Sequence, residues 1–350
     1  MNFPHKDFEK ASCKDANIEK GLLVDMFNKI EDDKLNIHGM VLLRDGNKVF
    51  DAYAAGYGPD IRENIYSISK SFTSVAIGIL QDRKLLKLDD FVLPYVKTEL
   101  KSWQPAYEKL TIRHLLTMSV GHENDLMYGM KPEDNALELF FNAELTYEPG
   151  THFVYNNLAT YLLSVIVTKI TGMNLNDFLD IELYQPLEIE KPIWRKHGKY
   201  ALGASGLELS SLDLAKFGLL LLNEGLWRDK QIVSKAYLKE ATSYQINTSH
   251  LDNPKDRYGY GYQFWMNDFE DYRCAGLFKQ YIVINKAFNV VFVTQAYEER
   301  ELLNLFTSYV LPGFQNGWVY DSFTLRHFIQ KFHDNSLELI KAEKANRTIY

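Results

Sequence analysis

The chain has 350 residues, enough for one large domain or two ordinary ones and for a sizeable core without disulfide or metal staples. Hydrophobic residues at 46% and charged residues at 24% exclude a disordered or fibrous chain. Lys and Arg (39) against Asp and Glu (46) leave a net charge of −7, so the basic footprint that nucleic acid selects is missing, and two cysteines cannot complete a structural zinc site.

Residues 1–7 carry no apolar signal-peptide core, and the longest aliphatic run, Leu219 to Leu222, is far short of a membrane span. The expectation is a cytoplasmic protein with reduced thiols. Ile18, Leu22, Leu23, Met26, Phe27 and Ile30 recur at helical spacing, which predicts an amphipathic helix from Ile18 to Glu31. Two strand-like runs follow, Gly39 to Arg44 and Lys48 to Ala54, with Asp45-Gly46-Asn47 as the hairpin turn between them. Ser67 to Gln81 reads as a helix with Phe72, Val75, Ala76, Ile79 and Leu80 on one face. Its other face (Ser67, Lys70, Ser71, Ser74, Gly78) is polar and small, either a solvated surface or a place where another element approaches closely.

From Leu85 to Trp194 the pattern is mostly helical: Thr111–Thr117, Ala136–Phe141, Leu158–Thr171 and Leu175–Leu183, joined by loops with Pro and Gly. Ser210-Ser-Leu-Asp213 is a capping-box signature for a helix to Asn223. Strand patterns return at Tyr260–Trp265, Asp271–Ala275, Gln280–Ile284 and Val290–Thr294, with short turns that favour antiparallel pairing. A helix from Glu298 to Leu311 should stop at Pro312-Gly313, and a further helical pattern runs from Leu325 to about Ala345. The economical fold class is α+β: an antiparallel sheet flanked by helices and built from both chain ends, with a helical region inserted. The expected domains are a discontinuous sheet domain of residues 1–84 and 200–312, a helical insertion of 85–199 and a helical extension of 313–350.

Two segments carry chemistry. Ser67-Ile-Ser-Lys70 sets a serine and a lysine three apart at a helix start, so the amine can reach the hydroxyl and, once its pKa is lowered, deprotonate it. The helix N-terminus favours a developing oxyanion nearby. Pro149-Gly150-Thr151-His152-Phe153-Val154-Tyr155-Asn156-Asn157 puts Tyr155 and Asn157 on one side of an extended loop. A tyrosine there can relay a proton, and an asparagine can orient the amine and a substrate amide. Among 22 tyrosines, however, packing is the commoner role. His114, His122 and His152 are available as partners, though a helical histidine such as His114 is more often a structural hydrogen-bonder. The chain has no Gly-x-Ser-x-Gly elbow, Walker loop, Gly-x-Gly-x-x-Gly or His-Glu-x-x-His.

Together these segments resemble the β-lactamase and penicillin-binding-protein-like serine hydrolases, over roughly residues 35 to 310. The branch most similar is that of class C β-lactamases, with their esterase, D-aminopeptidase and 6-aminohexanoate-dimer hydrolase-type relatives. Leu110-Thr-Ile-Arg-His-Leu-Leu-Thr-Met-Ser-Val-Gly121, Leu202-Gly-Ala-Ser-Gly-Leu207 and Asp213-Leu-Ala-Lys-Phe-Gly218 match further family segments in order. The resemblance implies a β-lactamase/transpeptidase-like fold and a small-molecule ester, amide or peptide substrate, with no metal and no organic cofactor. By it Ser67 is the nucleophile, Lys70 and Tyr155 share the acid–base work, and Asn157 aligns substrate and Lys70.

The third family motif, Lys-Thr-Gly or His-x-Gly, aligns to Cys274-Ala275-Gly276, with Leu277 after it. These four residues are the expected substrate-binding strand, and the N–H groups of Ser67 and Leu277 the expected oxyanion hole. Cys274 stands where the family has a cation, and Arg273 should point to the opposite strand face. Lys279 in the following turn is a weak substitute for the missing charge. The leading expectation is an esterase- or amidase-type serine hydrolase. The alternatives are a β-lactamase or D,D-peptidase, and a catalytically weak binding or regulatory protein on the same scaffold.

Overall fold

A computed structural model describes the chain except residues 5–6, 132, 269–270, 317–328, 331, 334–335, 337–338, 342 and 344–350. In chain order the elements used below are α1 (Lys20–Asp32), β1 (Ile37–Arg44), β2 (Asn47–Tyr53), α2 (Ser69–Asp82), α3 (Ile112–Leu116), α4 (Asn157–Thr171), α5 (Ser211–Leu222), β3 (Trp265–Met266), β4 (Tyr272–Gly276), β5 (Gln280–Asn285), β6 (Val290–Ala296) and α6 (Leu311–Asn316). The chain forms two compact units. One, the sheet unit, takes residues 1–65, 209–223 and 275–350, and the other, the helical unit, takes 66–208 and 224–274.

In the sheet unit four antiparallel strands run in the order β2-β1-β6-β5. Asp45 and Gly46 both have positive φ (52° and 82°), the two-residue turn whose twist suits a hairpin. Strand β1 is buried on both faces, so its sequence, Ile-His-Gly-Met-Val-Leu-Leu-Arg, is nearly continuous in apolar residues. Alternation then decides what each side chain meets. Met40, Leu42, Val290 and Phe292 join the core built with Leu23, Met26, Phe27 and Ile30 of α1. On the other face Gly39 and Gly218 make room for close packing of α5. A Cβ on Gly39 would lie 2.4 Å from Ser211 Oγ, and one on Gly218 would lie 2.5 Å from Val291.

The helical unit is organised around α2, whose residues from Ser69 to Leu80 are all buried. The small face anticipated in the sequence is therefore an approach surface, not a solvated one. A Cβ on Gly78 would come within 2.4 Å of the Tyr237 ring, and Ser74 and Tyr237 join hydroxyls at 2.9 Å. Helix α2 packs on α4, and Gly203 lies between the two, where a Cβ would meet Ser164 and the Thr160 carbonyl at 3.0 Å. Strands β3 and β4 pair antiparallel through Tyr272 with Met266 and Arg273 with Trp265.

Several sequence expectations are corrected here. Helix α2 starts at Ser69, and Ser67 lies in a 3₁₀ turn, Tyr66–Ile68, ahead of it. Tyr260–Trp265 is not a strand, because Gln263 takes φ 68° and turns the backbone. The Gln263 side chain bonds the carbonyls of Leu115 and Leu116 and the Thr160 hydroxyl instead of a ladder. The helix expected to end at Leu311 begins at Leu303 and continues through Pro312 to Asn316. A π-helical segment, Phe306–Val310, ends two residues before Pro312, in a region where an α ladder would lack the proline's N–H. Of the two compact units, the helical one takes in α2 and residues 224–274. The helix expected from Leu325 to Ala345 lies partly outside the described residues. Of its described part, Phe332 and Ile340 are buried in the core of the sheet unit. Among the described residues no single helix is long and apolar enough to cross a membrane.

Candidate active site

The helical unit brings four of the sequence-predicted residues together. Lys70 lies in the first turn of α2, one turn beyond Ser67, and its Nζ donates to Ser67 Oγ at 2.9 Å. Tyr66, just before the serine, holds a left-handed φ of 47°. A bond from Ser69 Oγ to the Tyr66 carbonyl (2.6 Å) ties down that strained turn. Asn157 opens α4, and its Oδ1 accepts from Lys70 Nζ at 2.6 Å. Tyr155, two residues earlier, hydrogen-bonds Ser67. The Lys70 ammonium lies 4.8 Å from the centre of the Tyr155 ring.

The electrostatics separate the lysine from the tyrosine. Burial brings Lys70 down to about 7, against a smaller upward pull from Asp125. Near neutral pH a large share of it is therefore free amine. Burial pushes the Tyr155 phenol up, with a counteracting bond from Ser67, so Tyr155 stays protonated. An aromatic wall fixes its ring: Trp265 stacks on it at 6.0 Å and 11°, and the Arg273 guanidinium sits 5.6 Å from the Trp265 ring.

Two site groups were missed in the sequence. The Ala204 carbonyl accepts from Lys70 Nζ at 2.9 Å. Its segment, Leu202–Leu207, was legible as a family match, but a backbone carbonyl leaves no side-chain signal. Asp125 accepts from Asn157 Nδ2 at 2.5 Å and from the Asn157 backbone N–H at 3.1 Å. It sits in an irregular loop, and no spacing rule singles it out.

The third-motif residues part company. Cys274 is buried, with its thiol bonded to Ser71 and its pKa pushed up to about 12 by burial. It is a neutral thiol turned inward. Arg273 faces the other way, as expected, to Asp256, Asn267 and the Met266 carbonyl. Ala275, Gly276 and Leu277 begin the last segment of the sheet unit. There a Cβ on Gly276 would lie 2.6 Å from the Ile65 carbonyl, and Leu277 is exposed. Lys279 pairs with Glu301 at 3.5 Å. The histidines engage elsewhere: His114 closes a capping box with Thr111, and His152 stacks on Tyr147 and lies tilted against His250 at 4.5 Å. His122 bridges Tyr107 (2.6 Å) and Asn156 (2.8 Å). Among the described residues no group of three His, Cys, Asp or Glu is placed to hold a metal ion.

Residues 27–300 match the sequence model of the family described as Beta-lactamase, and the chain belongs to that family. Among curated relatives, penicillin-binding protein 4* of Bacillus subtilis is 25% identical over 44% of this chain and 37% of its own length. The 6-aminohexanoate-dimer hydrolase of Paenarthrobacter ureafaciens is 22% identical over 57% of this chain and 55% of its own. The chain thus spans about half or less of these relatives. The solved structure of a penicillin-binding protein homologue from Pyrococcus abyssi superposes with a TM-score of 0.66 at 22% identity, over 84% of this chain and 77% of that one. That likeness shows the fold: mixed helix and antiparallel sheet, of the β-lactamase/transpeptidase-like type.

Proposed function

We propose that the protein is a serine hydrolase that cleaves an ester or amide through an acyl-enzyme on Ser67. The observation that carries this is the Lys70 amine 2.9 Å from Ser67 Oγ with its pKa brought down to about 7. Lys70 takes the Ser67 proton as the Oγ–carbon bond forms. Tyr155, still protonated, gives its proton to the departing oxygen or nitrogen as the carbonyl–leaving-group bond breaks, and recovers it from the Lys70 ammonium. A water molecule then attacks the acyl carbon, its proton passes through the same pair, and Ser67 Oγ leaves with a proton. The N–H groups of Ser67 and Leu277 are the oxyanion donors by the family resemblance. Ala275 and Gly276 take the role of the substrate-binding strand on the same ground.

The relative named penicillin-binding protein favours a second reading, a β-lactamase or D,D-peptidase. Against it stands Cys274, a buried neutral thiol where penicillin-recognising members carry a cation. The test mixes the protein and its Ser67→Ala variant with a p-nitrophenyl acyl ester, a fluorophosphonate and a fluorescent penicillin, following p-nitrophenol release and intact mass. Turnover and a single phosphonyl adduct, both lost in the variant, are expected. An acyl adduct from penicillin without turnover of the ester would favour the second reading. A folded protein that neither turns over nor is labelled overturns both and leaves a binding role on the same scaffold.

A further inference from the structure

We propose that Asp125 is a positioning residue that fixes which end of the Asn157 carboxamide faces Lys70, and so aims the Lys70 lone pair at Ser67. This rests on the reading of Ser67 as nucleophile. A neutral amine has two N–H donors and one lone pair. Around Lys70 Nζ lie three oxygens: Asn157 Oδ1 at 2.6 Å, the Ala204 carbonyl at 2.9 Å and Ser67 Oγ at 2.9 Å. The first two can only accept, so they take both N–H groups. The lone pair is then left for the one partner with a proton to give, the serine hydroxyl.

This holds only while an oxygen of Asn157 faces the lysine. A carboxamide can turn end for end, and the turned form would point an NH₂ at Nζ and claim the lone pair for itself. Asp125 prevents the turn, because a carboxylate only accepts. Its Oδ2 meets Asn157 Nδ2 at 2.5 Å, and its Oδ1 accepts the backbone N–H groups of Asn157 and Met127, each at 3.1 Å. The same loop holds the neighbouring side chain as well, with His122 Nδ1 accepting from Asn156 Nδ2. Asn156 Oδ1 in turn caps α4 through the Ala159 N–H.

The geometry predicts a specific failure and a specific repair. In Asp125→Asn the two backbone N–H groups still demand an oxygen at Oδ1, so the new NH₂ takes the place of Oδ2 and confronts the Asn157 NH₂. Asn157 must turn, presenting its NH₂ to Lys70. Adding Asn157→Asp restores an oxygen on both sides. We would measure kcat and KM for a p-nitrophenyl ester against pH in the wild type, D125N, D125N/N157D and S67A, with thermal unfolding as the control for folding.

D125N is expected to lose about ten- to a hundredfold in kcat with KM nearly unchanged. Its acid limb moves to lower pH, because the carboxylate that supports the lysine's charge is gone. D125N/N157D is expected to regain about tenfold over D125N above an acid limb shifted to higher pH, since a carboxylate now touches the amine. A merely structural Asp125 predicts no such repair. D125N with wild-type kcat and pH profile overturns the proposal, as does a folded double variant no better than D125N. Should D125N not fold, the double variant against the wild type carries the test alone, and wild-type-like kcat with the raised acid limb supports the proposal while its loss overturns it. A wild type no more active than S67A overturns instead the reading of Ser67.

Discussion

Lys70 and Tyr155 show how burial alone can sort two titrating groups into different tasks. Both are drawn out of water beside Ser67. For an amine that disfavours the charged form, and for a phenol it disfavours the anion, so one becomes a base near neutral pH and the other stays an acid. The ester-hydrolysis rate should therefore rise with pH through about 7 as Lys70 loses its proton. Lys70→Arg, which cannot deprotonate, should lose about 10²- to 10⁴-fold at every pH. Tyr155→Phe tests the other half. An amide nitrogen must be protonated to leave, whereas p-nitrophenolate leaves unaided. The variant should lose about 10²- to 10⁴-fold on an anilide but less than about tenfold on the p-nitrophenyl ester. Equal losses on both would show that Tyr155 acts before bond cleavage. The Ser-x-x-Lys pair and Tyr155-x-Asn157 were legible because spacing along a helix or an extended loop dictates who can meet. Asp125 was not, because it reaches Asn157 from 32 residues away through a loop with no periodicity.

At the scale of elements, α2 was recognisable as a helix, but its surroundings were not. A run of Ser, Thr and Gly among apolar residues suits a solvated face or a crowded one, and only the Tyr237 ring decides between them. Gly78→Ala sets two effects against each other. Helix propensity favours alanine by about 1 kcal/mol. The new Cβ would stand 2.4 Å from a buried ring whose hydroxyl is anchored to the Ser74 carbonyl, an overpacking that costs about 1–3 kcal/mol. The overpacking wins, and a lowered Tm in thermal unfolding is expected.

In the sheet unit, His38 of β1 bonds Glu63 at 2.7 Å and Glu343 at 2.5 Å, and stacks on Tyr57. Burial works to lower the His38 pKa, but bonds to Glu343 and Glu63 prevail and raise it. A histidine raised in the folded state adds stability that is present in full below its unfolded pKa of about 6.5 and is lost as pH climbs through the folded value. Each unit of difference is worth about 1.4 kcal/mol. Hydrogen exchange near Ile340 should accelerate as pH rises through that window, beyond the intrinsic pH effect on exchange. His38→Gln should remove the excess, and an unchanged excess in that variant would refute the role of the His38 bonds to Glu63 and Glu343.

Over the whole molecule the two cysteines belong to different units, Cys13 to the core of the sheet unit and Cys274 to the helical unit. Both are free and buried, so Ellman's reagent should count none in the native protein and two after denaturation, with reductant leaving Tm unchanged. A thiol titrating in the native state would contradict the burial of Cys274 against Ser71. Much was determined by the sequence alone: the helix and strand periodicities, the antiparallel hairpins, the family, and the cluster of Ser67, Lys70, Tyr155 and Asn157. All of these depend on near neighbours or on short motifs whose internal geometry the backbone dictates. Tertiary structure decided the rest. It placed α2 in the helical unit, turned the backbone at Gln263, carried the helix from Leu303 past Pro312 and buried Phe332 and Ile340 in the core of the sheet unit. It also set the Ala204 carbonyl against Lys70 and the Asp125 carboxylate against Asn157. The physical reason is the same in each case: burial and hydrogen-bond satisfaction are settled by groups far apart in the chain, and local patterning carries no record of which distant partner will meet the demand.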